Sequence, residues 1–126
     1  MFKPLSTNQA PAAIGPYSQA VEVDNLLFIS GQIPLNPETM EFVSEDVKEQ
    51  TEQVMKNIGA ILKEAGLDYK NIVKAGIFLD SMDDFAVVNE VYASFLSEPY
   101  PARAAVEVAK LPKGAKVEIE VIAVKG

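Results

Sequence analysis

Arg103 and Glu118 are the two residues of this chain best suited to chemistry on a small carboxylate. Arg103 falls in a short apolar strand predicted over 102–109, and Glu118 in the next, predicted over 116–124. A strand alternates its faces with period two, so Arg103, Ala105 and Glu107 share one side while Ala104, Val106 and Val108 share the other. Glu118 and Glu120 likewise oppose Val117, Ile119 and Val121. Charge on one face and aliphatics on the other, in two successive strands, suggests a polar recess on the sheet that can hold a small carboxylate. The same pattern also describes a plain cross-strand charge pair, worth roughly 0.2–1 kcal/mol and carrying no chemistry. Favouring a site, Glu118 and Glu120 share their face with Ile122 and Val124, so a partner should cover it.

Composition narrows the chemistry. The chain has no cysteine and no histidine, so catalysis must rest on carboxylates, Arg, Lys, hydroxyls, backbone and water. At 126 residues it is long enough to bury a core without metals or disulfides, and a single domain over 1–126 is expected. With 18 acidic against 11 basic residues the net charge is −7, which works against a nucleic-acid partner. The N-terminal stretch has no signal-like apolar run. No segment approaches the roughly eighteen apolar residues of a membrane span, so the expected location is the cytoplasm.

The elements that must position these residues are legible in the pattern. Pro4, Pro11 and Pro16 make the first stretch extended and irregular. Val21 and Val23 alternate with Glu22, Asp24-Asn25 supplies a tight turn, and 26–30 returns as the second strand of a hairpin. Gly31 and Pro34 break or bend that pair. From 46 to 65, Val47, Val54, Ile58, Ile61 and Leu62 recur at helical spacing, with Ser44 or Asp46 as cap and Gly66 as stop. Val73, Ala75, Ile77 and Leu79 read as a buried strand. Ser81 or Asp83 then opens a second helix carrying Phe85, Val88, Val91, Tyr92 and Phe95, ended by Pro99 and Pro101. The result is an α+β fold, a mixed β-sheet with two α-helices packed on one face. The other face is left for further copies of the same chain, most simply in a closed ring.

The run Ala10-Pro-Ala-Ala-Ile-Gly-Pro-Tyr-Ser18, the strand end Ser30-Gly-Gln-Ile-Pro34, Asp84-Phe-Ala86 with Val88-Asn89 and Tyr92, Pro101-Ala-Arg103, Val106-Glu-Val-Ala109, Leu111-Pro112 and Val117-Glu-Ile-Glu120 together resemble the RidA family (YjgF/YER057c/UK114). The resemblance covers nearly the whole chain. It implies a chorismate-mutase-like homotrimer with a central β-barrel and ligand clefts between subunits. It also implies hydrolysis of enamine and imine intermediates such as 2-aminoacrylate, released by pyridoxal-phosphate (PLP) enzymes such as serine/threonine dehydratases, to 2-keto acids and ammonia. The protein itself would need no cofactor and no metal.

Under that resemblance Arg103 grips the substrate carboxylate with its planar fork of donors, and Glu118 positions the attacking water and shuttles its proton. Glu120 is structural. Ser30, Gly31 and the main chain around Ala105 contact the ligand, while Tyr17 and Asn89 line or close the cleft. Taken alone, Gly31 is equally a bulge, Tyr17 a packing aromatic and Asn89 a polar residue on an exposed helix turn. The chain departs from many relatives in having Ala105 where a Cys is common and a shorter segment before Pro101.

Asp80, Asp83 and Asp84 are expected to cap a helix rather than bind a metal, and Lys110, Lys113 and Lys116 to form a solvated loop. The alternative to an imine deaminase is a carboxylate-binding regulatory module, in which the same Arg103 cleft holds 2-keto acids or amino acids without turnover. Glu118 favours the enzyme, because a carboxylate binder gains nothing from a negative charge beside its ligand. A third possibility, translation inhibition or RNA cleavage, fits worst with an acidic chain that lacks histidine.

Overall fold

The computed structural model describes all 126 residues. Strands β2 (Ala20–Val23) and β3 (Leu26–Gln32) are joined at Asp24-Asn25, with Val23 paired to Leu26. Asp24 sits at φ 53°, a left-handed conformation that aspartate tolerates in tight turns. Helix α1 (Val47–Glu64) begins at Asp46, whose Oδ2 accepts the backbone N–H of Glu49 at 3.0 Å, and is followed by Gly66 at φ 77°. Strand β4 (Ile72–Leu79) follows, then helix α2 (Phe85–Ser94), strand β5 (Ala102–Glu107) and strand β6 (Val117–Val124).

Two local expectations change. The N-terminal stretch is not wholly irregular: Lys3–Leu5 forms β1, an edge strand against β2, where Pro4 needs no ladder donor. Val73 is exposed while Ile72 is buried, because the β4–β6 register shifts between Ile72 and Lys74 and inserts one residue into the alternation.

The strands form one sheet in the order β1-β2-β3-β6-β4-β5, antiparallel throughout except for the parallel β4–β5 pair. The C-terminal strand is therefore inserted at the centre, between β3 and β4. Leu27, Ile29, Ala75, Ile77, Leu79, Val117, Ile119 and Val121 point to one face and pack against Val54, Met55, Ile58, Ile61 and Leu62 of α1 and Val88 and Tyr92 of α2. Both helices thus cover one face, as the α+β pattern requires. On the other face Phe28 pairs with Ile122, and Phe78 with Glu118 and Val106, with no helix above them. Replacing Ile58→Ala, at a fully buried position of α1, should lower the unfolding free energy by about 2–5 kcal/mol in denaturant titrations.

Candidate active site

Glu118 lies on the open face of the central strand, beside an irregularity in its neighbour. The β3–β6 register shifts between Ile29 and Gln32, so Ser30 and Gly31 leave the regular ladder. A Cβ at Gly31 would collide with Oε2 of Glu118 and lie 2.8 Å from its Cδ. The carboxyl therefore rests against the bare main chain at residue 31, and only glycine leaves room for it. Burial raises the Glu118 pKa above the ordinary glutamate value, and the negative charge of Glu120 on the same face raises it further. Neither ion pair of the chain, Lys70–Asp68 or Lys125–Glu22, involves Glu118.

The carboxyl opens into a cleft of about 660 Å³ that also contains Tyr17, Ser30, Gly31, Gln19 and Gln32. Ser30 is committed structurally: its Oγ donates to the Ser18 carbonyl at 2.6 Å and its N–H to the Gln19 carbonyl at 2.9 Å. Tyr17 is exposed at the cleft rather than packed in the core. Two cleft residues that sequence reasoning missed are buried amides. Gln19 accepts the Thr7 N–H at 2.7 Å and donates to the Pro11 carbonyl at 2.7 Å, clipping the N-terminal segment beside the cleft. Gln32 donates to the Ser30 carbonyl at 3.1 Å, bracing the bulge. Their signal in the sequence is an uncharged amide at each end of the hairpin segment, flanking the apolar strand residues.

Arg103 occupies a different cleft, of about 450 Å³, with Asn89, Tyr92, Tyr100 and Pro101. Its guanidinium lies 5.5 Å from the Phe85 ring centroid and 5.4 Å from that of Tyr92, and Nη1 donates to Asn89 Oδ1. Phe85, Asn89 and Tyr92 are spaced four and three residues apart, so one stripe of α2 cradles the whole cation. The Tyr92 hydroxyl is buried without a hydrogen-bond partner, and burial raises its pKa against the opposing pull of Arg103. Ala105 is half-buried against the core, which leaves its main chain on an edge strand paired only with β4.

Within one chain Arg103 and Glu118 do not share the recess that their alternation suggests. Arg103 pairs with Ala75, on the helix-covered face, whereas Glu118 pairs with Phe78 on the open face, and β4 separates their strands. Arg103 and Asn89 thus lie together at one cleft, and Tyr17, Ser30, Gly31 and Glu118 at another. The capping expectation shifts slightly too. Ser81, not an aspartate, caps the turn before α2 by accepting the Asp83 N–H at 3.2 Å. No three His, Cys, Asp or Glu side chains are grouped to hold a metal ion, and no helix is long and apolar enough to cross a membrane.

A raised carboxyl pKa has a defined sign. The folded state holds the Glu118 proton more tightly than the unfolded chain, so this group's contribution to stability is present at low pH and is lost as pH rises through its folded pKa. In a carboxyl-resolved NMR titration Glu118 should titrate later than an ordinary glutamate, and Glu120→Gln should move its midpoint down. An unmoved midpoint in that variant would mean that burial alone sets it.

The family model described as Endoribonuclease L-PSP matches residues 7–125. The chain is 52% identical to a mouse protein named 2-iminobutanoate/2-iminopropanoate deaminase, over 98% of this chain and 92% of that one. It superposes with a TM-score of 0.93 on RidA from an Antarctic Psychrobacter, at 54% identity, covering 97% of this chain and 98% of that one. It also superposes with a TM-score of 0.93 on Escherichia coli TdcF, solved with bound serine, at 45% identity and 98% and 99% coverage. A match over nearly every residue, with the same arrangement of sheet and helices, places this chain in the RidA (YjgF/YER057c/UK114) family.

Proposed function

We propose that this protein is a 2-imino acid deaminase. It would hydrolyse 2-iminopropanoate and 2-iminobutanoate, with their enamine tautomers 2-aminoacrylate and 2-aminocrotonate, to the 2-keto acids and ammonia. The names of its relatives support the reaction class. The observation that carries the site is the placement of Arg103 and Glu118 on opposite faces of one sheet, next to an uncovered apolar surface. If Phe28, Phe78 and Ile122 are buried against other copies, the Arg103 edge of one chain can meet the Glu118 cleft of the next. A closed homotrimer is the assembly that this reading takes, and the single domain over 1–126 is its unit.

In such a site each half has a task. The Arg103 fork, held flat by Phe85, Tyr92 and Asn89, grips the substrate carboxylate with two parallel hydrogen bonds. A water beside Glu118 adds its oxygen to C2 of the imine, and its proton passes through Glu118 to the nitrogen. The proton of the new C2 hydroxyl then follows by way of Glu118 to the nitrogen as the C–N bond breaks, leaving the keto oxygen on C2 and releasing ammonia. A carboxyl whose pKa is raised by burial and by Glu120 holds such a proton more readily than an ordinary glutamate, which suits it to take up and return it. Ser30, Gly31 and the main chain at Ala105 supply polar backbone at the cleft walls, and Tyr17 and Asn89 border it. The substrates arise as products of PLP-dependent serine/threonine dehydratases, which makes these enzymes functional partners in the cytoplasm.

The net charge of −7 and two glutamates on the open face oppose a nucleic-acid phosphate backbone, so RNA cleavage is not the activity proposed. The serine bound by TdcF is compatible with a second reading, a carboxylate-binding regulatory module without turnover. A dehydratase-coupled assay separates the two. Wild type should speed imine decay, Glu118→Ala should lose about a hundred to ten thousandfold of that rate, and Arg103→Ala should raise KM steeply. Arg103→Lys should not restore KM, because a point charge does not replace the fork. Refolding Arg103→Ala together with Glu118→Ala should recover activity at about a quarter of the sites, since one chain then supplies each intact half. No recovery in a mixed oligomer would mean that the two groups do not complete one site between chains. A wild type that binds a 2-keto acid without accelerating decay would favour the binding module.

A further inference from the structure

The Glu118 cleft of a single chain is far larger than a three-carbon imino acid, and its lining includes a set of apolar side chains. Ile14, Ile33, Leu35 and Met40 line it. Met40 stands out because its backbone lies at φ 59°, the left-handed region in which a side chain other than Asn or Asp is strained. The surrounding turn holds it there. Met40 N–H donates to the Asn36 carbonyl at 2.7 Å, Asn36 N–H donates to the Glu41 carbonyl at 2.9 Å, and Asn36 Oδ1 accepts the Glu38 N–H at 2.8 Å. Leu35 bridges to Phe42 across the turn, and Asn57 of α1 donates to the Leu35 carbonyl at 3.0 Å. The turn is thus fastened to the helix layer, and a glycine at its strained position would relieve the backbone and leave no side chain in the cleft.

We propose that Met40 is a specificity-determining residue: with Ile33 and Leu35 it forms the apolar wall that receives the substrate's side chain, selecting 2-imino acids with alkyl chains longer than that of 2-iminopropanoate. This inference rests on the deaminase reading above. A 2-imino acid presents three groups around C2. The carboxylate is taken by Arg103 and the nitrogen leaves beside Glu118, so the alkyl chain is directed toward the remaining wall. Methionine is unbranched and adaptable, which lets one wall fit chains of several lengths. Each further methylene buried there is worth roughly fourfold in kcat/KM.

The test uses imines generated by an L-amino-acid oxidase from alanine, 2-aminobutyrate, norvaline and norleucine, with the wild type, Met40→Gly and Met40→Leu compared on each. Wild-type kcat/KM should climb by roughly fourfold per methylene along the series. Met40→Gly should flatten that climb, its loss growing with chain length from the shortest imine to the longest, and Met40→Leu should restore it. The Tm of Met40→Gly should be no lower than that of wild type, because the strained φ is released. An equal loss on every imine, or an unchanged climb in Met40→Gly, would overturn the role of Met40. Equal wild-type rates along the series would overturn the side-chain subsite while leaving the deaminase intact. A wild type that accelerates none of the four would overturn the deaminase reading and this inference with it.

Discussion

The contact between the Glu118 carboxyl and the bare main chain of Gly31 is the constraint on which the cleft depends. It exists because β6 is inserted at the centre of the sheet, directly beside β3, and because β3 departs from regular pairing between Ile29 and Gln32. A side chain at residue 31 would drive the carboxyl away, and a regular ladder would aim residues 30 and 31 elsewhere. The carboxyl is partly withdrawn from water there, with Glu120 as its charged neighbour. Both effects hold its proton more tightly than water would.

Around that contact the fold spends buried polar groups on order. Gln19, Gln32 and Asn57 are each nearly inaccessible, and each is satisfied by main-chain carbonyls or N–H groups of segments that border the cleft. Leaving such an amide unpaired would cost about 1–3 kcal/mol, so each one fixes the irregular chain that satisfies it. The stretch from Thr7 to Pro11, the bulge at Ser30-Gly31 and the Leu35–Phe42 turn are irregular in backbone, and each is tied in by a side-chain amide.

The cation is placed by a different device. Arg103 sits on an edge strand, where β5 has a partner on one side only, and a stripe of α2 supplies two ring faces and one amide oxygen to hold its plane. This arrangement keeps a planar fork oriented without a carboxylate partner that would compete with an anionic ligand. The separation of this cradle from the Glu118 cleft follows from parity. Residue 103 pairs with a core-facing residue of β4 and residue 118 with one facing the other way.

Much of the local structure was written in the sequence. Asp46 and Gly66 bracket α1, Asp24-Asn25 turns the hairpin, and period-two alternation gives the faces of β6, because caps, turns and pleats depend on neighbours along the chain. The family segments likewise pointed to Arg103, Glu118 and the corner at Gly31. Val73 shows where that reasoning stops, since a bulge changes facing without changing residue types. The strand order β3-β6-β4-β5 was beyond it as well, and with it the fact that Arg103 and Glu118 face away from each other. Residue types and spacing determined which groups this protein has for chemistry and which short elements carry them. Only the tertiary structure decided which of those groups meet, because strand order and register are set by long-range pairing that period-two alternation does not encode.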